Sequence, residues 1–197
     1  MNIAVFASHG GSDLQAIIDG CKNNLLNASV AVVISNNADA FALKRAIDAR
    51  VPAYHLSVKQ FDSEATLAQE ILKVLEKHKI DMIFLAGYMR MLHTAVLDKY
   101  NNRIFNIHPA LLPKYGGKGM YGMNVHAAVV AAKEVVSGVT IHRVNAEYDS
   151  GEIVAQTTVP VLENDTAEEL AARVLEREHT FLIEVIADII AGKISLG

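Results

Sequence analysis

The first half of the chain alternates short apolar runs with stretches of helical periodicity. The apolar runs have the length and the continuous hydrophobicity of parallel strands that are covered on both faces. They comprise Ile3–Ala7, Val30–Ser35 and Met82–Ala86, with Ala53–Leu56 as a weaker candidate. The helical stretches between them are Ser12–Asn23, Asp39–Ala49 and Ser63–His78. Strand and helix in alternation predict an α/β fold with a doubly wound, mostly parallel sheet.

The second half of the chain changes character. After one more strand comes a glycine-rich loop, and later two β segments flank a polar turn, as they do in an antiparallel pair. The sheet is therefore expected to have an antiparallel edge in this half. The predicted segments are a strand at Arg103–Ile107, a loop at Pro109–Gly122, a helix at Met123–Lys133, β segments at Gly138–Asn145 and Glu152–Pro160, and a helix from Asp165 to about Ala191.

Length and composition limit the classes of function. A chain of 197 residues with 51% hydrophobic and 20% charged residues suits one globular domain, residues 1–197, with an ample core. Its net charge of −4 and lack of a basic run argue against nucleic acid as a partner. Cys21 is the only cysteine and the eight histidines are scattered, so neither a disulfide nor a zinc site is expected. The apolar start at Met1–Phe6 is too short to span a membrane and lacks a basic flank, so a cytoplasmic protein is expected.

Residues 106–113, Asn-Ile-His-Pro-Ala-Leu-Leu-Pro, follow a predicted strand and carry chemically useful side chains. Asn106 and His108 are two residues apart on extended chain, so their side chains point to the same side. Pro109 has no N–H and ends regular strand pairing. An amide can hold a developing oxyanion, and an imidazole can transfer a proton near neutral pH. A histidine beside a proline is more often structural, and the surrounding pattern decides between the two interpretations.

Three other polar segments follow predicted strands, whose carboxyl ends form the edge at which such folds bind ligands. Ser8–Asp13 contains paired glycines at the start of the first helix, where backbone N–H groups and the helix dipole favour an anion. A tight turn explains these glycines about equally well. Ser12 and Gln15 predict a capping box at the same helix start. Gly87–Leu92 has the pattern of a loop and a helix start whose two methionines pack in the core. Asn145–Asp149 has the pattern of a polar turn.

The motif at residues 106–113 resembles the shared signature of the folate-dependent formyltransferases, Asn-x-His-Pro-(Ser/Ala)-Leu-Leu-Pro. The resemblance is strongest to the members that formylate glycinamide ribonucleotide in purine synthesis. It implies a Rossmann-like fold and formyl transfer from 10-formyltetrahydrofolate to the amine of 5'-phosphoribosylglycinamide. Residues 1–100 would bind the ribonucleotide phosphate, and residues 101–197 would hold the catalytic and folate-binding groups. Ordered similarity runs from Asn2 to about Ile190 and includes Leu14–Asp19, Ser35–Ala40, Leu85–Leu92, Leu111–Tyr115, Thr140–His142 and Tyr148–Gly151.

The same resemblance implies a role for each group of site residues. The implied catalytic residues are Asn106, His108 and Asp149, and the Asp149 carboxylate would raise the pKa of His108. No metal is needed for this chemistry, the partners are small molecules, and the oligomeric state stays open. The implied ribonucleotide ligands are Gly11, Ser12, Asp13, Arg177 and Glu178. The implied folate ligands are Met89, Arg90, Met91, Leu92, Asn106, Asn145, Ala146, Glu147 and Tyr148.

Four positions near the ligands depart from the family pattern. His9 replaces a glycine, and Asp13 replaces an asparagine where the phosphate is expected. Glu64 stands where an arginine is common, and Leu175 where a polar residue is common. A carboxylate at position 13 would favour the helix start by about 0.3–1 kcal/mol, but it would also repel a phosphate.

Several rivals share the Asn-x-His-Pro core. A formyltetrahydrofolate deformylase would normally carry an N-terminal regulatory domain, a methionyl-tRNA formyltransferase an extra C-terminal domain, and sugar-nucleotide formyltransferases are longer. The 197-residue chain and the glycine-rich first turn favour the ribonucleotide enzyme. A folate-binding relative weakened by Asp13 and Glu64 is a further alternative. The intact Asn106, His108 and Asp149 argue against it.

Overall fold

Five parallel strands and an antiparallel pair form one seven-stranded sheet in the computed structural model, which describes residues 1–196. The order across the sheet is β3-β2-β1-β4-β5-β6-β7. β6 runs antiparallel to β5, and β7 antiparallel to β6. The predicted doubly wound, mostly parallel sheet with an antiparallel edge is therefore confirmed. The strands are β1 (Asn2–Phe6), β2 (Ser29–Ser35), β3 (Ala53–His55), β4 (Met82–Leu85), β5 (Ile104–His108), β6 (Val136–Arg143) and β7 (Ile153–Pro160).

Helices cover both faces of this sheet. In β1, Ile3 and Val5 pack in one core, whereas Ala4 and Phe6 pack in the other, and all four are fully buried. Successive strand residues point to opposite faces, so both faces of the sheet are apolar and must be buried by helices. The first core includes α1, α2, α5 and α6, and the second includes α3 and α4. No helix in residues 1–196 is long and apolar enough to cross a membrane. The helices are α1 (Ser12–Lys22), α2 (Phe41–Asp48), α3 (Glu64–Lys77), α4 (Thr94–Lys99), α5 (Met123–Ala131) and α6 (Ala167–Ile190), with a 3-10 turn at Val58–Gln60.

The start of α1 differs from its prediction. The helix follows Gly11, whose φ of 70° is left-handed, and no side chain caps it. A Cβ on Gly11 would also lie 2.8 Å from the Ala42 Cβ, so only glycine suits this position. The predicted capping box of Ser12 and Gln15 is wrong, because the Gln15 side chain bonds to Asp19 and Arg45 instead. The first turn of α1 thus keeps backbone N–H groups that a ligand can use.

The strand order reverses between β1 and β4, and the loops after these two strands border a crevice. Hydrogen bonds join the two loops. The Ser8 amide donates to the Gly87 carbonyl at 3.0 Å, and the Met89 amide donates to Ser8 Oγ at 2.8 Å. β5 lies next to β4, so the side chains at the carboxyl end of β5 face the same crevice.

The connection between β6 and β7 closes tightly at Gly151. The Arg143 amide donates to the Glu152 carbonyl at 2.8 Å, which brings the two chain segments together. A Cβ on Gly151 would overlap the Arg143 carbonyl oxygen, a backbone atom that cannot rotate away. The loop that this contact closes contains Asp149, so the steric fit at Gly151 helps to position a predicted catalytic residue.

We expect Gly151→Ala to lower the free energy of unfolding by roughly 1–3 kcal/mol, because the overlap forces the backbone to move. Gly10→Ala is the matched control, since Gly10 has no left-handed φ and a Cβ there would meet no atom within 4 Å. Urea unfolding of both variants measures the difference. Equal stability of the two variants would contradict the steric account.

Candidate active site

The carboxyl end of β5 presents the two side chains that the motif predicted. Asn106 is half-buried and His108 is buried, and both lie on the side of the strand that faces the crevice. Across the antiparallel pair, Asn106 lies opposite His142 of β6. Directly opposed residues share a face of the sheet. The register therefore adds a buried second imidazole to the predicted pair.

The amide of Asn106 is held from two directions. Its Nδ2 donates to His142 Nε2 at 3.0 Å and to Asp149 Oδ1 at 3.4 Å. His142 Nδ1 lies 2.8 Å from the Arg143 carbonyl oxygen and donates to it, which leaves Nε2 as the acceptor in a neutral imidazole. The bond to Asp149 is long, so an incoming oxygen can compete for that N–H.

His108 is oriented by a backbone carbonyl and faces the same carboxylate. Its Nε2 donates to the Tyr115 carbonyl at 2.8 Å, and its Nδ1 lies 3.7 Å from Asp149 Oδ2. Burial lowers the pKa of His108, and the opposing effects of Asp149 and the Tyr115 carbonyl do not overcome it. Asp149 therefore acts in the predicted direction, but the expectation of a raised pKa at His108 is wrong for the unliganded site.

Asp149 is the anion at the centre of the site. Its Oδ2 accepts a hydrogen bond from the Gly117 amide at 2.8 Å, and its Oδ1 lies 3.5 Å from His142 Nε2. Burial raises the pKa of Asp149, but His142, the Gly117 amide and the charge of His108 outweigh burial, so the pKa is lowered. Its φ of 51° is unusual outside glycine and fixes the direction of the carboxylate. The glycine-rich loop therefore has a function that its sequence pattern did not reveal.

Two cavities meet at these residues. The first has a volume of about 340 Å³ and extends from the start of α1 to His108. The second is smaller, about 70 Å³, and extends towards the loop after β6. Two ligands that entered from opposite sides would thus meet beside the amide and the carboxylate. The residues shared by both cavities are Tyr88, Asn106, Tyr148 and Asp149.

The first cavity contains most, but not all, of the predicted ribonucleotide ligands. Ser12, Asp13 and Glu178 line it, and Gly11 forms the turn that begins α1. Arg177 lies outside the cavity lining. Its guanidinium donates to Glu184 and Thr157, with Nη2 2.8 Å from Glu184 Oε2. The position of Arg177 therefore does not support the prediction that it binds the ribonucleotide. Arg177 and Glu178 are neighbours on α6, and neighbouring helical residues point in different directions, so only Glu178 lines the cavity.

Asp13 and Glu178 are both buried in this cavity wall, with 8% and 7% of their surface exposed. Burial raises the pKa of Asp13 to about 6. Burial, together with the charge of Asp13, raises the pKa of Glu178 well above its ordinary value. The predicted benefit of a charge at the helix start is thus outweighed by the cost of burying that charge.

The second cavity is lined by most of the predicted folate ligands. Arg90, Met91, Leu92, Asn145, Glu147 and Tyr148 line it, whereas Met89 lines the first cavity and Ala146 lines neither. Arg90 Nη2 lies 3.5 Å from Glu64 Oε1 in an exposed ion pair, so the departure at position 64 is neutralised by a nearby cation. Exposed pairs of this kind contribute little stability and can open when a ligand binds.

A third cavity of about 430 Å³ lies beyond the segment 88–92, away from the predicted catalytic groups. It is lined by residues 88–93, by part of α3 and by the segments that follow β1, β2 and β3, which contribute His9, Asn36, Asn37 and Lys59. Within residues 1–196, no three His, Cys, Asp or Glu side chains are grouped so that they could hold a metal ion. That the formyl transfer needs no metal ion stays a prediction.

The chain is similar to known proteins along most of its length. A family model described as Formyl transferase matches residues 1–186. Phosphoribosylglycinamide formyltransferase of Escherichia coli K12 is 37% identical over 196 residues, which covers 100% of this chain and 90% of that protein. The chloroplastic enzyme of Arabidopsis thaliana is 41% identical over 98% of this chain. This chain spans only about two thirds (66%) of the Arabidopsis protein's length.

Solved structures give the same grouping. Glycinamide ribonucleotide transformylase 1 from Symbiobacterium toebii has a TM-score of 0.90 and 38% identity, and the match covers 98% of this chain and 88% of that one. A formyltetrahydrofolate deformylase from Pseudomonas syringae shares the fold, with a TM-score of 0.83, at only 24% identity. The shared fold, the Asn-Ile-His-Pro motif at the end of β5 and the matches along the chain agree. This chain belongs to the formyl transferase family.

Proposed function

We propose that this protein transfers the formyl group of 10-formyltetrahydrofolate to the amine of 5'-phosphoribosylglycinamide. One observation carries the proposal. The two cavities share Asn106 and Asp149, with His108 beside them, so a ribonucleotide in the first cavity and a folate in the second would place the amine next to the formyl group. Holding two substrates in one cleft supplies much of the rate acceleration of such reactions.

The attack of the amine on the formyl carbon forms a tetrahedral intermediate. Its oxygen gains negative charge as the new C–N bond forms, and Asn106 Nδ2 can donate to that oxygen in place of its long bond to Asp149. The attacking nitrogen becomes cationic and must lose a proton. Neutral His108 has a free acceptor at Nδ1, because its Nε2 donates to Tyr115. His108 therefore serves as the base.

The imidazolium that results is stabilised by its surroundings. Asp149 lies 3.7 Å from Nδ1, and the Tyr115 carbonyl accepts from Nε2. The positive charge at His108 then also stabilises the neighbouring oxyanion. When the intermediate collapses, the bond between the formyl carbon and N10 breaks, and N10 takes up a proton from the imidazolium, directly or through water held by Asp149. The residues end in their starting protonation states.

Deformylation is the main alternative, in which water replaces the amine. The ribonucleotide side of the first cavity argues against it, since Ser12, Asp13 and Glu178 form a polar wall that water alone would not need. The arrangement at Asn106 and His108 would serve either reaction. The cytoplasmic location and the absence of nucleic-acid partners stay predictions, and two relatives are named as chloroplastic proteins.

Release of tetrahydrofolate from 10-formyltetrahydrofolate tests the proposal when it is followed by absorbance with and without glycinamide ribonucleotide. We expect release only when the ribonucleotide is present, with one formyl group appearing on the amine for each folate released. Release without the ribonucleotide would indicate a deformylase. No release in either condition would favour a folate-binding relative.

Substitutions in the motif should affect chemistry more than binding. His108→Ala should lower kcat by about 10²–10⁴, the usual contribution of a general acid–base, while KM for the folate changes little. Asn106→Ala should lower kcat by roughly 10²–10³, the usual effect of one lost oxyanion donor. Asn101→Ala, at an exposed position outside the cavities, is the matched control. A normal kcat in the His108 variant would refute the assigned mechanism.

A further inference from the structure

A row of three residues crosses the antiparallel edge of the sheet and ends at the base of the proposed mechanism. His108 of β5 lies opposite Thr140 of β6, and Thr140 lies opposite Gln156 of β7. Directly opposed residues share a face of the sheet, so the three side chains lie on the same side. Thr140 is fully buried, whereas Gln156 is exposed on the edge strand. A surface residue is thus only two strands away from the imidazole.

The hydroxyl of Thr140 binds the loop that follows His108. Its Oγ1 donates to the Ala110 carbonyl at 2.6 Å and accepts from the Leu112 amide at 3.1 Å. A hydroxyl has one proton to donate and two lone pairs that accept. The second lone pair accepts from Gln156 Nε2 at 2.8 Å, so every hydrogen-bonding position of this hydroxyl is used.

Gln156 also binds this loop directly. Its Nε2 donates to the Leu112 carbonyl at 3.0 Å, in addition to the bond to Thr140. Neither partner oxygen has a proton to offer in return, because the Thr140 proton goes to the Ala110 carbonyl. The Gln156 side chain must therefore point its NH2 group, and not its oxygen, towards the loop. Together, Gln156 and Thr140 satisfy both backbone groups of Leu112, a buried residue whose unpaired groups would be costly.

The far end of the same loop carries two groups that hold the catalytic residues. Three residues after the clamped Leu112, the Tyr115 carbonyl accepts from His108 Nε2 at 2.8 Å. Two residues later, the Gly117 amide donates to Asp149 Oδ2 at 2.8 Å. The position of the loop therefore decides whether both bonds can form.

Packing couples Leu112 to that far end. A Cβ on Gly116 would lie 2.5 Å from Leu112 Cδ2, so the Leu112 side chain lies directly against the Gly116 backbone. Gly116 stands between Tyr115 and Gly117 in the chain. A displacement of Leu112 would therefore also move the two groups that bond to the catalytic residues, because close-packed interiors transmit strain.

We propose that Gln156 is a positioning residue for His108. From the exposed edge strand, its amide holds Leu112 and Thr140, and the loop so held places the Tyr115 carbonyl that keeps the proton of neutral His108 on Nε2. The inference rests on the proposed function and deepens it, because a base with its proton on Nε2 presents the lone pair of Nδ1 to the attacking amine. Gln156 lines neither of the two cavities that meet at the site, so it acts through the loop and not on a substrate.

Gln156→Glu tests the proposal, because a carboxylate of nearly the same shape accepts hydrogen bonds but cannot donate them. A misplacement of about 1 Å can lower a rate by about 10²-fold, and Thr140 still holds the loop, so we expect kcat to fall by roughly 10-fold. KM for both substrates should change little, since Gln156 lines neither cavity. Gln156→Met lacks the donors without adding a charge and should show the same loss. A wild-type kcat in both variants would overturn the proposal.

Thr158→Val is the matched control. Thr158 lies two residues further along β7, on the same face as Gln156, and is also exposed. Its kcat should equal that of the wild type. An equal loss of kcat in the Thr158 and Gln156 variants would show that any change on the edge strand disturbs the site, which contradicts a specific role for Gln156.

Nitrogen NMR of labelled histidine locates the proton of His108 in the unliganded proteins. The spectra are recorded at pH 8, because burial holds the pKa of His108 below its ordinary value and the ring is then neutral. The wild type should show the proton on Nε2, whereas both Gln156 variants should show a mixture with part of the proton on Nδ1. Thr140→Val should give the same mixture, and Thr140→Ser, which retains the hydroxyl, should restore the Nε2 form.

This spectrum separates the positioning role from the proposed function. Absence of ribonucleotide formylation by the wild type would refute the proposed function, but the location of the His108 proton would still test Gln156. A proton that stays on Nε2 in the Gln156 variants would contradict the proposal, whatever reaction the protein catalyses.

Discussion

The site depends on one half-buried carboxylate, Asp149, that joins three parts of the chain. Asp149 accepts a hydrogen bond from the Gly117 amide, contacts the Asn106 amide on β5 and faces His142 on β6. The loop after β6 thus contacts the glycine-rich loop and the ends of β5 and β6 through a single side chain. The same carboxylate is the nearest anion to His108, so it also determines how readily that imidazole holds a proton.

Burial disfavours the charged forms of His108, Asp13 and Glu178 in this cleft. At His108 it outweighs the attraction of Asp149, which keeps the imidazole neutral and therefore able to accept a proton from an attacking amine. At Asp13 and Glu178 it favours the protonated carboxyl. Burial thus favours the uncharged forms of His108 and Glu178 in the unliganded protein. The positive charge that the proposed chemistry needs would then develop at His108 in the bound complex, where Asp149 and the Tyr115 carbonyl stabilise it.

The sequence predicted the fold well because its information is local and periodic. Buried parallel strands need continuous apolar runs, and those runs fall on β1, β2 and β4. The short helix α4 carried too few residues for a periodic signal, and the start of α1 is set by the left-handed turn at Gly11 and not by a side-chain cap. The cluster at Asn106 and His108 followed from the spacing of two residues on a strand. The second hydrogen bond of Asp149, to Gly117, depends on a tertiary contact between distant loops that no local pattern encodes.

Nitrogen NMR of labelled histidine measures the central balance between burial and the carboxylate most directly. The resonances of His108, assigned by comparison with His108→Gln, would be followed from pH 4 to pH 9 in the unliganded wild type and in Asp149→Asn. We predict that His108 titrates below the ordinary histidine pKa of about 6.5, with its proton on Nε2, and that loss of the Asp149 charge lowers the pKa further. A His108 that titrates above the ordinary value, or that does not respond to Asp149→Asn, would contradict this account of the site.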